Sequence, residues 1–339
     1  MDNLISENKP KLIRTSTIAM SLDYLLRGQL EFLNNHYDVL AASGIDAHLE
    51  NVVLREGVRV VNIPMQRAIS PIKDLVTLWK LYRLFCNEKP KIVHSITPKA
   101  GLLSMTAAYF ARVPIRIHTF TGLIFPSKTG IFQSLLILMD KFLCYFATNI
   151  YPEGEGVKKD LISYRITNKP LKIIANGNVN GTDTNYFDLR LFNNEKKTLL
   201  RSSLAINASN FVFIFVGRLV GDKGINELVA AFKKLQSTSS FTFQISLLLV
   251  GPSEPMLDPL KQKTLEEINN NKNIISVGFK SDIRPYLSIA NVLAFPSYRE
   301  GFPNVVLQAG AMGLPCIVTD INGCNEIIEE GKNGWIIPV

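Results

Sequence analysis

The stretch Phe211–Gly224 reads FVFIFVGRLVGDKG. Its first six residues are apolar, and the run ends on Gly217 with Arg218 directly behind it. Aromatic and β-branched residues bounded by glycine read as a strand buried on both faces. From Lys223 to Leu235 the apolar residues take helical spacing. The whole is therefore a strand, a tight turn and a helix, which is half of a βαβ unit.

The same grammar extends in both directions. Toward the C-terminus, strands are predicted at Ser246–Val250, Ile274–Val277, Val292–Phe295, Cys316–Val318 and Trp335–Ile337. Toward the N-terminus they are predicted at Lys11–Ser16, Tyr37–Ala42, Val58–Ile63, Lys91–Val93, Ile115–His118 and Lys172–Ile174. Helical patterns lie between them at Leu22–Asn34, Ile72–Phe85, Gly101–Ala111 and Val305–Met312. Such alternation specifies an α/β protein with parallel sheets. The polar segment Asn193–Asn210 interrupts the series, so we expect two domains, residues 1–190 and 191–339.

Open parallel sheets bind ligands beyond the carboxyl ends of their strands. Five strand ends here offer glycines or polar groups: His118–Gly122, Gly217–Arg218, Gly251–Pro252, Gly278–Phe279 and Pro296–Gly301. At the second of these, Arg218 and Lys223 sit across one turn and can reach a single diphosphate. Arginine would supply a planar fork and lysine a point charge. Two solvated cations on a βα turn is the plainer reading. In Pro296–Gln308, PSYREGFPNVVLQ, Glu300 lies in the loop and Gln308 about two helical turns further on. The helix start between them offers free N–H groups to a phosphate. A cap followed by an exposed glutamine reads equally well. His118 ends its predicted strand beside Thr119 and Thr121, where a structural histidine is as natural as a functional one.

Several chemistries are absent from the sequence. The first βα turn, Ser16–Ser21, lacks the GxGxxG of dinucleotide folds, and no P-loop occurs. No Asp-Xaa-Asp pair is present to hold a divalent cation, so the site is expected to work without a metal or other cofactor. Cys86, Cys144, Cys316 and Cys324 show no metal spacing and read as reduced core residues of a cytoplasmic protein. The start, Met1–Pro10, has no apolar run of the kind a signal peptide needs. The apolar stretch Ile131–Ile150 is interrupted by Gln133, Ser134, Asp140 and Lys141 and reads as a half-buried amphipathic helix, not a membrane span. The net charge of +8 is uneven: residues 1–188 hold 22 Lys and Arg against 16 Asp and Glu. A basic half suits phosphate, anionic lipid or nucleic acid, or is simply a lysine-rich surface.

Together these stretches resemble the family 4 glycosyltransferases of bacterial capsule, O-antigen and lipid-linked oligosaccharide assembly. The resemblance rests on His94–Leu103 (HSITPKAGLL), His118–Gly122 (HTFTG), Tyr151–Leu161 (YPEGEGVKKDL) and Ile174–Asp183 (IANGNVNGTD). Its most specific parts are Val216–Gly224 (VGRLVGDKG) and Phe295–Pro315 (FPSYREGFPNVVLQAGAMGLP). It implies the GT-B fold, two Rossmann-like domains facing each other across a cleft. It also implies a retaining, metal-independent transfer from a nucleotide-diphosphate sugar, UDP-linked, to a lipid-linked or saccharide acceptor. Nucleic acid is not expected as a partner, and the basic first half with the interrupted apolar stretch Ile131–Ile150 suggests peripheral contact with anionic lipid at the inner membrane surface.

By the same resemblance, Gly217, Arg218 and Lys223 take the donor diphosphate. Glu300 and the backbone of Gly301, Phe302, Pro303 and Asn304 take the sugar and phosphates, Phe279 the base and Gln308 the ribose. His118 and Glu300 stand at the catalytic positions. Gln308 departs from the family, which has glutamate there. The family also continues into C-terminal helices beyond Trp335–Ile337. The alternatives are a UDP-sugar epimerase of similar fold, which HTFTG and REGFPN disfavour, and a silent binding subunit.

Overall fold

The computed structural model describes residues 9–66, 68–238, 242–256 and 258–339. The polar start read above falls mainly on residues 1–8, outside the described residues. The chain forms two compact units that divide between Asn180 and Gly181.

The first unit holds strands β1 (Lys11–Ile18), β2 (Asp38–Gly44), β3 (Arg59–Asn62), β4 (Ile92–Ser95), β5 (Ile115–Phe120) and β6 (Asn149–Pro152). Its helices are α1 (Ala19–Leu25), α2 (Gln29–Asn34), α3 (His48–Glu56), α4 (Pro71–Glu88), α5 (Pro98–Phe110), α6 (Gly130–Phe146) and α7 (Glu155–Ser163). The second unit holds β7 (Phe211–Val216), β8 (Ile245–Val250), β9 (Ile274–Ser276), β10 (Val292–Phe295), β11 (Cys316–Thr319) and β12 (Gly334–Ile337). Its helices are α8 (Asn194–Ser203), α9 (Ile225–Thr238), α10 (Gln262–Asn270), α11 (Arg284–Ser288), α12 (Asn304–Ala311) and α13 (Cys324–Ile327).

Both sheets are parallel throughout and are wound alike. The orders are β3-β2-β1-β4-β5-β6 and β9-β8-β7-β10-β11-β12. In each, the chain leaves the first strand one way and returns on its other side. The switch points therefore fall between β1 and β4 and between β7 and β10. This is the predicted α/β class in its doubly wound form.

Each sheet is covered on both faces, as its unbroken apolar strands require. On one face of the first sheet, Ile13, Leu40 and Val93 pack with Leu81, Phe85, Met105 and Leu143. On the other, Leu12, Val39 and Ala41 pack with Leu22, Leu26, Leu30 and Val52. In the second unit β8 is buried along its whole length. Each such aliphatic side chain contributes about 1.5–3 kcal/mol.

Four sequence expectations are corrected. The helix predicted at Leu22–Asn34 is two helices, because Gly28 takes φ 75° between them and its N–H donates to Glu56 Oε1 at 2.9 Å. Lys172–Ile174 is not a strand: only Leu171 bridges to Ile150, and Ala175 and Asn178 then turn the chain at φ 50° and 63°. The apolar stretch Ile131–Ile150 ends its helix at Phe146 and enters β6. The Lys169 ammonium draws it to a close by donating to the carbonyls of Cys144 and Tyr145 at 2.7 and 2.9 Å. The polar segment Asn193–Asn210 contains α8, which Asn193 caps by accepting from the Lys196 N–H at 2.9 Å. Tyr186 packs with the second unit, since the Arg284 guanidinium lies 3.5 Å from its ring centroid.

All four cysteines are free thiols. Burial raises Cys144 and Cys316 to about 12, so both stay protonated. Cys86 is exposed on α4 and is not a core residue as expected.

Candidate functional site

The second sheet delivers its strand ends to one place. Gly217, at the end of β7, donates its N–H to Val250, and Gly251, at the end of β8, donates to the Gly278 carbonyl at 2.9 Å. Gly251 has φ 151°, and a Cβ there would fall on the Gly217 carbonyl oxygen. Only glycine permits strand ends so close. Phe279 follows Gly278 and is half exposed.

Across the switch point, the turn after β7 meets the loop after β10. The Tyr298 N–H donates to the Asp222 carbonyl at 3.0 Å. Gly224, at φ 70°, packs against the Pro296 carbonyl, where a Cβ would overlap it. Ser297 is buried and donates to the Arg299 carbonyl at 3.2 Å. Gly323 packs against Gly301, Phe302 and Pro303 in the same way, with no room for a Cβ. The loop Pro296–Pro303 is thus clamped from both sides by glycines.

On this frame the charges are paired. Lys223 and Glu300 form an ion pair, both only about 15% exposed. Arg218 pairs with Glu254 at 2.7 Å, and Arg299 with Asp222 at 2.8 Å. The Asp222 N–H in turn donates to Asp258 at 2.6 Å. Helix α12 begins at Asn304 behind Pro303, and no side chain caps its start. Its positive dipole end therefore points out of the clamped loop. Gln308 lies one turn further, half-buried, and its side chain makes no hydrogen bond among the described residues.

The structure therefore brings Gly217, Arg218, Lys223, Glu300, Gly301, Phe302, Pro303 and Asn304 together at the switch point, with Phe279 at the neighbouring strand end. Glu254, Asp258 and Gly323 are not picked out by the sequence, and Arg299, though within the Pro296–Gly301 strand end, is given no role there. Their roles depend on which carboxylate meets which cation, and spacing along the chain does not carry that.

His118 belongs to the first unit. It lies inside β5, two residues before the strand's end, and is 1% exposed. Its Nδ1 is 2.8 Å from Ser95 Oγ, and it packs edge-on against Phe120. A Cβ on Gly101 of α5 would strike the imidazole. Burial lowers its pKa to about 3, so the ring is neutral. His94, beside it on β4, is also held well below the ordinary histidine range, first by burial and then by Arg14 and His118. The buried Arg14 guanidinium donates to His94 Nδ1. That fixes the remaining proton on Nε2, which donates to Thr119 Oγ1 at 2.8 Å. Lys99, at the start of α5, is occupied by Asp74 at 2.8 Å.

Residues 196–339 match the family described as Glycosyl transferases group 1, and residues 19–178 match Glycosyltransferase Family 4. Over 333 residues the chain is 32% identical to the capsular polysaccharide biosynthesis glycosyltransferase CapM of Staphylococcus aureus, covering 96% of this chain and 83% of that one. The chain is a family 4 glycosyltransferase. This glycosyltransferase is also 32% identical to the UDP-Gal:alpha-D-GlcNAc-diphosphoundecaprenol alpha-1,3-galactosyltransferase of Escherichia coli, over 84% of this chain and 72% of that one. Its fold is that of Anabaena Alr3699/HepE, solved in complex with UDP and glucose: the TM-score is 0.81 at 18% identity, covering 97% and 86% of the two chains. The two doubly wound units of the glycosyltransferase are those of the GT-B fold.

Proposed function

We propose that this glycosyltransferase moves a sugar from a UDP-linked donor to a lipid-linked or saccharide acceptor during assembly of a surface polysaccharide, with retention and without a metal. The observation that carries the reading is the cluster of Arg218, Lys223 and Glu300 in front of the uncapped start of α12, at the β7/β10 switch point. A diphosphate entering there takes over Lys223 from Glu300 and Arg218 from Glu254, and it gains the helix dipole. Glu300, released from Lys223, is then free to accept from sugar hydroxyls. Gln308 serves the ribose as a neutral hydrogen-bonding group, and Phe279 offers its exposed ring to the base. His118, neutral and buried, acts by holding the β5 end and not by proton transfer. A UDP donor is supported by the nucleotide in Alr3699/HepE and by the name of the E. coli relative. A lipid-linked acceptor is supported by that name, and polysaccharide assembly by CapM.

Calorimetry with UDP and UDP-sugars tests the donor site. Arg218→Ala and Lys223→Ala should each weaken binding by about 1.5–3 kcal/mol, the range for hydrogen bonds to charged groups. Unchanged affinity in both variants removes the assignment. Transfer should give a product with the donor's anomeric configuration and should continue in excess EDTA. Loss in EDTA with recovery in Mg²⁺ or Mn²⁺ would show that a metal neutralises the phosphates instead.

Peripheral membrane contact is the remaining part of the proposal. Among the described residues no helix is long and apolar enough to cross a membrane. Helix α6 instead exposes Ile131, Phe132, Leu135, Leu138 and Phe142 along one side, with Lys128 and Lys141 near them. Such a face can lie in the headgroup layer. Co-sedimentation with anionic vesicles is expected to exceed that with neutral ones and to fall with added salt. Equal partitioning to both would count against it.

A further inference from the structure

Helix α4 carries three different stripes. At 100° per residue, Thr77, Leu81 and Phe85 share one side and are buried in the core of the first unit. Leu75, Trp79 and Tyr82 share a second side and are exposed. Lys73 and Lys80, seven residues apart, share a third. Val76 lies between the second and the third.

Each outer stripe borders a cavity. Leu75, Val76, Trp79 and Tyr82 line an open groove of about 850 Å³ with Ala107 and Phe110 of α5. Nearly all of its lining is carbon. Lys73 and Lys80 border a second cavity of about 460 Å³, at the carboxyl ends of β2 and β3, where Gly44, Asn62 and Gln66 close it. Val76 lines both, so the two cavities adjoin across one side chain. Among the described residues the ammonium groups of Lys73 and Lys80 have no ion-pair or hydrogen-bond partner. Lys99, by contrast, is neutralised by Asp74. Arg83 adds a third cation, lying 5.0 Å from the Trp79 ring centroid.

The apolar groove is continuous with a pocket that bears two unpaired cations, two amides and one carboxylate, Asp74, whose charge Lys99 neutralises, and this combination is complementary to one kind of molecule. It must join a hydrocarbon chain to a multiply charged anion. We propose that α4 seats the lipid end of the acceptor: an isoprenoid chain in the Leu75–Trp79–Tyr82 groove, and its diphosphate between Lys73, Lys80, Asn62 and Gln66. The inference rests on the proposed lipid-linked acceptor and locates it. The volumes lie in the range of ordinary ligand sites. Lysine is a point-charge partner for phosphate, and the apolar lining leaves the chain's insertion to the hydrophobic effect.

The test uses the full chain carrying Trp335→Phe, which leaves Trp79 as its single tryptophan. Farnesyl diphosphate should shift Trp79 emission to the blue and saturate, while farnesol should bind more weakly. Lys73→Ala/Lys80→Ala should raise the Kd for farnesyl diphosphate at least tenfold and leave that for farnesol unchanged. Leu75→Gln/Tyr82→Gln, both at exposed positions, should weaken both ligands about tenfold. A urea-unfolding midpoint read by Trp79 emission, unchanged in all of them, confirms that the first unit is folded. Wild-type binding in both double variants overturns the proposal. So does displacement of farnesyl diphosphate by vesicles without lipid-linked sugar, which would make the groove a bilayer contact. So does a concentration-dependent dimer that excludes the ligand. If the protein transfers to a lipid-linked acceptor with an unchanged KM in both double variants, this site fails while the function stands. If it transfers only to free saccharides, the lipid-linked reading fails.

Discussion

Moving from about pH 6.5 to about pH 4.5 is expected to destabilise the first unit, and to destabilise that of Asp140→Asn by about 2 kcal/mol more than that of the wild type. Three groups set this response: His118, which is buried, and His94 and Asp140, which are half-buried. His118 and His94 have folded pKa values far below the unfolded 6.5. Below that pH the unfolded chain takes up two protons that the folded unit refuses. The stability these neutral rings confer is present above pH 6.5 and is lost as pH falls, at about 1.4 kcal/mol per proton per pH unit. Asp140 works in the opposite sense. Burial raises its carboxyl to about 7. The folded unit therefore accepts a proton that the unfolded chain takes up only near pH 4, and acid stabilises it. One favourable uptake offsets one of the two unfavourable ones. Replacing Asp140 by Asn removes the offset. His94→Gln/His118→Gln removes the other side, and this variant should gain about 2 kcal/mol over the same interval. Urea unfolding followed by Trp79 emission, in a Trp335→Phe background, reads the first unit. Three parallel pH profiles would refute the assignment of all three groups.

The second large effect is expected at Gly224. Its φ of 70° costs any other residue about 1–2 kcal/mol. A Cβ there would also overlap the Pro296 carbonyl, a backbone atom that cannot rotate away. Gly224→Ala must therefore part the turn after β7 from the loop after β10. We expect a loss of about 3 kcal/mol or more in the second unit, together with loss of UDP binding, because Lys223 and Glu300 sit on the two parted segments. Gly331→Ala is the control. Its φ is 77°, yet nothing lies within 4 Å of the added carbon, so only the backbone strain should appear. In a Trp79→Phe background, Trp335 on β12 reports this unit. Equal losses in the two variants would mean that the contact with Pro296 contributes nothing.

Much of this architecture was legible in the chain. Phe211–Val216 occupies its predicted bounds because a strand buried on both faces leaves an unbroken apolar run. The convergence of Gly217–Lys223 with Glu300–Asn304 was legible because both stretches belong to the segments that follow β7 and β10, strands that neighbour each other in the sheet. The errors share a cause. Asn149–Pro152, with one apolar residue in a sequence of small or polar neighbours, becomes a strand only because β5 offers it a ladder. Lys172–Ile174 has the right composition, but after the single bridge at Leu171 the chain turns away from the β6 edge through Ala175 and Asn178. The polar helix α8 is set by its Asn193 cap and by Arg201, whose guanidinium donates to the carbonyls of Asn207, Ala208 and Asn210. His118 looked like a strand-end ligand. Two further residues of β5, and Gly101 opposite, turned it into a packed interior group.

The three ion pairs of the proposed donor site have a consequence for selectivity among anions. Arg218, Lys223 and Arg299 face Glu254, Glu300 and Asp222, so each of these cations already has a carboxylate partner. An approaching anion meets the dipole end of α12 but no unpaired cation among these three. Orthophosphate, or a phosphate on a nucleic acid, would have to displace a carboxylate for every cation it reached, with no other contact to offset the exchange. A nucleoside-diphosphate sugar brings a ring for Phe279, hydroxyls for the released Glu300 and two linked phosphates at once. On the proposed reading, the paired charges favour a ligand that presents base, diphosphate and sugar together over an isolated phosphate.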